Sequence, residues 1–199
     1  DLFIDSGRPG ALRYDQFFFP SGNILYKNHA CIGKAVQLLR EKGITDFEVV
    51  LTLTEEEAAD VMELDKNDHN IVCRGRLSRN EVYRLYQERI LLFPSYIETF
   101  GYPPAEARKA GTVIFASDCP FCHEVLENYE DAYYFDPFQP KELAALMEQS
   151  IKGELVRRAP AGRKFEYAVP ACGKQSSWST VCEQIAAAAK SDSTCAGMP

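Results

Sequence analysis

The sequence predicts an α/β fold in which a parallel β-sheet carries helices on both faces. Short runs of β-branched and aromatic residues alternate along the chain with longer segments whose apolar residues recur every three or four positions. Helix-capping residues, glycines and prolines separate the runs from the segments. Strands that alternate with helices favour parallel pairing, because each helix carries the chain back across the sheet to begin the next strand.

The first strand and helix follow an aperiodic start. Residues 1–15 show no hydrophobic periodicity and are expected to be a linker or the remnant of a preceding segment. Residues 16–20 are a predicted strand with three consecutive phenylalanines, and Pro20 closes it. Residues 29–42 have apolar positions at helical spacing, and Gly43 ends that predicted helix.

The second and third strand–helix units carry clear helix-start signals. Thr54 precedes three glutamates, which is the pattern of an N-cap residue followed by acids in the first turn. Ser78, with Glu81 three residues later, has the pattern of a capping box. The predicted strands are 47–53 and 70–74, and the predicted helices are 54–64 and 78–88.

Three further units complete the predicted domain. Their strands are 90–93, 112–116 and 132–135, and their helices are 104–110, 122–128 and 141–150. Residues 157–173 are expected to be a loop, and 176–190 a final helix in which Trp178 packs. The tail, 191–199, is expected to be disordered, so the predicted domain spans 16–190.

Composition and charge exclude several classes of protein. The formal net charge is −7, whereas a general nucleic-acid binder needs a basic stripe. No run of 18 apolar residues predicts a membrane span, so at most a peripheral membrane association is expected. Seven scattered cysteines, an odd number, indicate reduced thiols in the cytoplasm. The start lacks both Met and a basic leader, so we expect a fragment without a signal peptide.

The segment after the fourth predicted strand holds the most distinctive polar residues. Glu98 lies in the turn, and Glu106 is expected in the first turn of helix 104–110. Gly101 allows a ligand to approach the backbone closely, and its amide and that of Tyr102, with the helix dipole behind them, form a predicted anion site. Two carboxylates beside an anion site suit a ligand with both phosphates and hydroxyls, such as a nucleoside diphosphate sugar.

Glu98 and Glu106, with seven residues between them that include Phe100-Gly101, resemble the signature of family 4 retaining glycosyltransferases of the GT-B fold. Five further features resemble the family in the same order: Phe19-Pro20 with Lys27-Asn28, residues 72–78, residues 112–118 with Glu124-Val125, Phe135-Asp136-Pro137, and Ser177-Trp178. The surrounding sequence agrees over about residues 16–150. The resemblance implies a Rossmann-like, three-layer αβα domain, namely the C-terminal, donor-binding domain of a GT-B enzyme.

The resemblance implies a role for each matching residue. Lys27 would contact the diphosphate and Glu98 the hydroxyls of the donor sugar, so these two are the candidate catalytic residues. Glu106 would bind the ribose hydroxyls, and the loop 75–77 would lie against the base. The implied donor-binding residues are Gly75, Arg76, Phe100, Gly101, Tyr102 and Glu106.

The reaction and partners also follow from the resemblance. It implies transfer of a hexosyl group from a nucleotide-sugar donor to a glycan or lipid-linked acceptor, with retention, in cytoplasmic polysaccharide biosynthesis. It implies no cofactor and no divalent metal. The acceptor would bind in an N-terminal domain that this chain lacks, so the chain alone is expected to bind nucleotide and to transfer sugar poorly.

One position departs from the family pattern. The family often has an arginine five residues before the lysine, and Gly22 stands at that position here. Three alternatives stay open for the missing phosphate-binding cation. Arg74 or Arg76 supplies it, or Lys27 and the helix dipole suffice without it.

Two other functions compete with glycosyl transfer. Cys119 and Cys122, followed by His123, match both a redox Cys-x-x-Cys motif and the c-type haem pattern. The motif lies after four strand–helix units, whereas a glutaredoxin domain would carry it near its start. A redox Cys119 would have a pKa well below about 8.5. The second alternative is a non-catalytic nucleotide-binding module. His29 and His69 are expected to be exposed polar residues.

Overall fold

A computed structural model describes residues 12–62 and 69–155. These residues form a six-stranded, wholly parallel sheet with the strand order β3-β2-β1-β4-β5-β6. The strands are β1 Arg13–Phe19, β2 Glu48–Leu51, β3 Ile71–Cys73, β4 Arg89–Phe93, β5 Ile114–Ser117 and β6 Ala132–Phe135. This order is that of the doubly wound Rossmann sheet, which confirms the predicted fold class.

Within the described residues, six α-helices connect and cover the strands. They are α1 His29–Glu41, α2 Glu55–Val61, α3 Arg79–Glu88, α4 Tyr102–Ala110, α5 Pro120–Val125 and α6 Pro140–Ile151. A short 3₁₀ turn, Leu25–Lys27, precedes α1. α1 packs against α6, and α3 packs against α4, so the sheet lies between two helical layers.

The core lies along the two central strands. β4 is buried at every position, and the phenylalanines at 17, 18 and 19 of β1 have no solvent exposure. Their rings meet those of neighbouring strands, with Phe19 edge-on to Phe93 at 6.2 Å. Central strands of a parallel sheet are covered on both faces, which explains why these runs are continuously apolar rather than alternating.

Both predicted capping signals form. Thr54 Oγ1 accepts the Glu57 amide at 3.2 Å, and Glu57 Oε2 accepts the Thr54 amide at 2.9 Å. Ser78 and Glu81 make the same reciprocal pair, with the Ser78 amide 2.8 Å from Glu81 Oε2. These boxes fix where α2 and α3 begin, because each satisfies amides that have no partner within the helix.

The start of the domain differs from the prediction. β1 begins at Arg13, so residues 13–15 belong to the sheet and not to a linker. Arg13 pairs with Arg89 of β4 across a register shift, and its side chain is exposed. Backbone pairing extends the strand beyond the buried core here, and polar side chains give no hydrophobic signal for it. Residues 1–11 lie outside the described residues.

The start of α4 also differs from the prediction. The helix begins at Tyr102, two residues before the expected Pro104, and Gly101 is its N-cap with φ 84°. The prediction was wrong because it assigned the first helical position to a proline, whereas Pro103 and Pro104 occupy the second and third positions. Glu106 therefore lies in the second turn and not the first, where the helix dipole acts on it less.

Other boundaries agree closely or lie outside the described residues. α5 begins at Pro120 rather than residue 122.

The prediction that His29 is exposed was wrong. His29 is buried, since the first turn of α1 packs onto Phe19. The expected loop at 157–173, the helix at 176–190 with Trp178, and the tail fall on residues that the structure does not describe.

Candidate functional site

The centre of the carboxyl edge of the sheet has the geometry of a ligand-binding crevice. β1 and β4 are neighbours there, and the chain leaves them in opposite directions, to β2 on one side and to β5 on the other. In doubly wound sheets this switch point is where ligands bind. The loop 20–28 after β1 and the loop 94–101 after β4 flank it.

Asn28 ties the loops of this edge together. Its backbone is left-handed, with φ 59°. Its Nδ2 donates to the carbonyls of Pro94 at 3.2 Å and Pro137 at 2.8 Å. The Tyr96 amide donates to the Tyr26 carbonyl at 3.1 Å. The loops after β1, β4 and β6 are therefore joined, and the residue before Asn28 is fixed against the loop after β4.

That residue is Lys27, and the structure brings it together with Glu98. Lys27 Nζ lies 2.5 Å from Glu98 Oε1, and the two side chains are only 16% and 13% exposed. The sequence places these residues 71 positions apart. Their contact puts a cation and a carboxylate side by side at the switch point, where the first could meet a phosphate and the second a hydroxyl.

The start of α4, which follows Glu98 after a short turn, offers a small number of backbone donors. A helix begins with four amides that lack intrahelical acceptors, and the prolines at 103 and 104 have no amide hydrogen. Gly101 and Tyr102 are left as the amide donors of this terminus. Phe100 and Tyr102 are both exposed, with ring centroids 5.2 Å apart. The predicted anion site therefore has two donors and aromatic side chains at its border.

Glu106 makes its contacts with α3 rather than with Lys27 and Glu98. Arg79 Nη2 lies 3.0 Å from Glu106 Oε1, and the Tyr86 hydroxyl donates to Glu106 Oε2 at 3.4 Å. Tyr86 is fully buried, and its burial together with the nearby Glu106 carboxylate raises its pKa. The carboxylate is thus held in place by α3. Its role with a ribose stays a prediction.

A cavity of about 520 Å³ lies over the carboxyl ends of β1, β2 and β3. Arg76 and Leu77 of the predicted base-side loop line it, together with Gly22. Gly75 forms the turn of that loop with φ 63°, and its amide donates to the Leu53 carbonyl at 2.9 Å. Of the two arginines that could replace the cation missing at Gly22, Arg76 lines the cavity and Arg74 is not among its lining residues.

The Cys-x-x-Cys segment does not have the environment of a reactive thiol. Burial raises the pKa of Cys119, and raises that of Cys122 to about 12. A redox-active thiol requires the opposite shift. Cys122 Sγ lies 3.4 Å from Ser117 Oγ in the core. His123 Nε2 is hydrogen-bonded to Asp118 Oδ1 at 2.6 Å, and its ring stacks on that of Tyr134. The segment therefore packs α5 against the sheet.

Another cavity, of about 400 Å³, lies at the opposite, amino edge of the sheet. Arg13, Arg40, Asp46 and His69 are among the residues that line it. It is far from the strand ends that carry the site. Among the described residues, no group of three or more His, Cys, Asp and Glu side chains could hold a metal ion. No helix within 12–62 and 69–155 is long and apolar enough to cross a membrane.

Sequence reasoning missed three residues of the site. The cross-loop bonds of Asn28 and the two α3 partners of Glu106, Arg79 and Tyr86, depend on tertiary contacts between distant segments. Asn directly after Lys27 and before a helical pattern was a usable signal for a left-handed turn. The sequence near Arg79 and Tyr86 holds no comparable signal.

Curated relatives of this chain are mannosyltransferases. It is 32% identical to the O-antigen chain mannosyltransferase RfbU of Salmonella typhimurium over 126 residues, which is 62% of this chain and 33% of the relative. It is 30% identical to the serotype-specific mannosyltransferase WbdA of Escherichia coli over 89 residues, 44% of this chain and 11% of the relative. The chain spans a third or less of the length of the relatives it matches.

Solved structures share the fold at low sequence identity. TarM aligns with a TM-score of 0.61 and 14% identity, over 73% of this chain and 30% of TarM. The pneumococcal O-GlcNAc transferase GtfA, solved in complex with UDP and GlcNAc, aligns with a TM-score of 0.55 and 18% identity, over 72% of this chain and 30% of GtfA. The family model "Glycosyl transferases group 1" matches residues 13–165. This chain therefore belongs to the group 1 glycosyltransferase family, as the signature around Glu98 and Glu106 predicted.

Proposed function

We propose that this chain is the donor-binding part of a glycosyltransferase that moves a hexosyl group from a nucleoside diphosphate sugar to an acceptor hydroxyl, with retention. The acceptor is a glycan or a lipid-linked glycan. The observation that carries the proposal is the Lys27–Glu98 pair beside the amides of Gly101 and Tyr102, at the switch point of the sheet. Lys27 and the two amides can donate hydrogen bonds to phosphates, and Glu98 can accept hydrogen bonds from sugar hydroxyls.

Lys27 and the start of α4 act on the diphosphate. Lys27 pairs with the partly buried carboxylate of Glu98, so a diphosphate that enters exchanges one anionic partner for another without leaving the cation unpaired. The amides of Gly101 and Tyr102 point from the positive end of the helix dipole. Both are in place before the reaction, so they stabilise charge as it develops on the departing diphosphate.

The transfer breaks two bonds and forms two. The bond between the anomeric carbon and the diphosphate oxygen breaks, and its electron pair leaves with the nucleoside diphosphate. The acceptor oxygen forms the new glycosidic bond on the same face of the sugar. Its proton passes to the departing diphosphate. Glu98, released from Lys27, accepts hydrogen bonds from the donor sugar and orients its anomeric carbon.

We propose further that neither a cofactor nor a divalent metal takes part. Lys27 and the two amides supply the positive charge that a metal would otherwise supply to the diphosphate. A cytoplasmic location is also proposed. It is supported by four free cysteines among the described residues, Cys31, Cys73, Cys119 and Cys122.

An acceptor domain is the proposed partner of the carboxyl edge. The chain spans a third or less of the length of its curated relatives, which leaves room for a further domain in such proteins. Among the described residues, six large apolar side chains are exposed in the segments that follow β1, β4 and β6 at this edge: Ile24, Leu25, Ile97, Phe100, Tyr102 and Phe138. Exposed large apolar side chains near a ligand site support coverage by another protein surface.

The proposal is tested by calorimetric titration of the chain with UDP-, GDP- and ADP-linked sugars. We expect one of them to bind, and Lys27→Met to weaken that binding on the order of 10-fold, since a charge-assisted bond to phosphate is lost. Lys109→Met, a matched change of an exposed lysine in the last turn of α4, should leave affinity within about twofold. Equal losses in the two variants, or no binding of any nucleotide sugar, would contradict the proposal.

A further inference from the structure

We propose that the cavity over β1, β2 and β3 selects a guanine nucleotide, with Glu57 and Arg76 contacting adjacent edges of the base. This inference rests on the proposed function, because it names the nucleotide of the same donor. It is carried by the place of the cavity, by the two charged side chains that line it, and by the hydrogen-bonding pattern of the bases.

The cavity is placed to receive the nucleoside. It begins at Ser21 and Gly22, on the same loop as Lys27, and extends to Arg76 beyond the end of β3. A ligand whose diphosphate lies at Lys27 therefore has the cavity next to it along the carboxyl edge. Its volume of about 520 Å³ lies in the range of small-molecule sites. An alanine-sized Cβ at Gly22 would meet nothing within 4 Å, so the entrance on the Lys27 side is open.

Glu57 is a fixed acceptor in this cavity. Its Oε2 accepts the Thr54 amide at 2.9 Å, and its own amide donates to Thr54 Oγ1 at 3.2 Å. This capping box holds the half-buried carboxylate at one place. Among the described residues, no hydrogen bond occupies Oε1, and Oε2 keeps a second lone pair. Glu57 can therefore accept two adjacent N–H donors from a ligand.

Arg76 is a free donor in the same cavity. It is exposed, follows the left-handed turn at Gly75, and makes no ion pair within the part of the chain that the structure describes. Glu57 and Arg76 are the two charged residues among those that line the cavity. Leu77 and Val82 add apolar surface, against which the face of a base can pack. The cavity thus offers the Glu57 carboxylate as an acceptor, the Arg76 guanidinium as a charged donor, and an apolar surface.

Guanine is the base whose edges match this pair. Its N1–H and N2–H₂ are adjacent donors for a carboxylate, and its O6 and N7 are adjacent acceptors for a guanidinium. Adenine would turn its N1 acceptor toward the carboxylate. Uracil has one N–H between two carbonyls, so one carbonyl would oppose the carboxylate. When an acceptor of the base faces the Glu57 carboxylate, neither group makes a hydrogen bond there and both lose water, so adenine and uracil should bind more weakly than guanine.

Unmodified protein and base analogues give the first test. The full 199-residue chain is titrated by calorimetry with GDP, IDP, 7-deaza-GDP, ADP and UDP. IDP lacks only the N2 amino group, and 7-deaza-GDP lacks only the N7 acceptor. We expect GDP to bind most tightly, with IDP and 7-deaza-GDP each about 10-fold weaker and ADP and UDP weaker still. Since no residue changes, a folding defect cannot produce this result.

Matched variants assign the two contacts. Glu57→Gln keeps a side-chain oxygen for the Thr54 amide but loses the charge, and should bring GDP to the affinity of IDP. Glu56→Gln, the exposed neighbouring acid of the same turn, should preserve the preference for GDP over IDP. Arg76→Gln should abolish the preference for GDP over 7-deaza-GDP. Thermal melting by circular dichroism checks that each variant is folded.

The outcomes separate this inference from the proposed function. Binding of nucleoside diphosphates without a preference for GDP would overturn the guanine inference and leave the donor site in place. A GDP preference that survives in Glu57→Gln and Arg76→Gln would also overturn it, because other residues would then contact the base. Failure of every nucleoside diphosphate to bind would overturn both.

Discussion

His29 is an ionisable side chain placed where protonation is costly. It is 1% exposed, its ring lies 4.9 Å from that of Phe19, and neither ring nitrogen has a partner within the described part of the chain. Burial, with a smaller effect from the charge of Lys27, lowers the pKa of His29 to about 4, while Glu57 acts in the opposite direction. The imidazole is therefore neutral in the folded protein at neutral pH.

This lowered pKa predicts a pH-dependent stability. The unfolded chain takes up the His29 proton near pH 6.5, whereas the folded chain takes it up only near pH 4. The free energy of unfolding should therefore fall as the pH drops through this window, by about 3 kcal/mol from His29 alone. Urea denaturation of His29→Leu should lack this part of the loss. The exposed-histidine variant His69→Leu should retain it, and identical profiles for both variants would contradict the prediction.

Glu106 has two possible roles that a ribonucleotide can distinguish. Its contacts with Arg79 and Tyr86 either hold the carboxylate ready for a ribose or only join α3 to α4. If it binds ribose, Glu106→Gln should weaken nucleoside diphosphate binding on the order of 10-fold, because charge-assisted hydrogen bonds are lost. The 2′-deoxy nucleotide should bind the original protein more weakly than the ribonucleotide, but lose little further affinity in the variant.

Arg79→Ala is the matched control for Glu106. It removes the exposed ion pair and leaves the carboxylate, so nucleotide affinity should change by less than about threefold and stability should change little, because solvent screens an exposed pair. If Glu106→Gln and the original protein discriminate equally between ribo- and deoxyribonucleotides in calorimetry, the ribose role is wrong and Glu106 joins the helices.

Among the structural elements, α4 connects fold and site most directly. Its N-cap, Gly101, has φ 84°, which non-glycine residues rarely adopt, and a Cβ there would lie 3.8 Å from the Phe121 ring. Gly101→Ala should destabilise the protein by about 1–2 kcal/mol and weaken nucleotide binding, because relief of the strain turns the amides of 101 and 102.

Gly43→Ala separates these two effects. Gly43 has φ 77° after α1, with nothing within 4 Å of an added Cβ. Its substitution should cost a similar amount of stability in chemical denaturation and leave nucleotide affinity unchanged in calorimetry. Equal affinities in the two variants would show that the start of α4 does not contact the ligand.

The sequence was most informative where local chemistry decides structure. Thr54 with Glu57, and Ser78 with Glu81, form the expected capping boxes because every partner lies within four residues. The start of α4 was misplaced because two prolines and a left-handed glycine all suit the first positions of a helix, and the local sequence does not rank them. The polar start of β1 at Arg13 depends on pairing with Arg89, which local pattern does not contain.

At the scale of the whole molecule, topology gathers the site. Parallel strands place every loop that follows a strand at one edge, which explains why Lys27 and Glu98, 71 positions apart in the sequence, lie next to each other. The same rule could not give the bonds from Asn28 to Pro94 and Pro137, because they depend on how three loops fold over the edge. The strand order also does not predict the partners of Glu106, because it does not determine which faces of α3 and α4 pack together.

The most direct test of the donor site is a crystal structure of the chain with a bound nucleoside diphosphate. We expect a diphosphate oxygen within about 3.2 Å of Lys27 Nζ and another within the same distance of the Gly101 or Tyr102 amide nitrogen. The base should lie in the cavity beside Arg76 and Leu77. A nucleotide bound instead in the cavity at the amino edge, among residues such as Arg40, would contradict the account, because no residue of the carboxyl edge would then touch it.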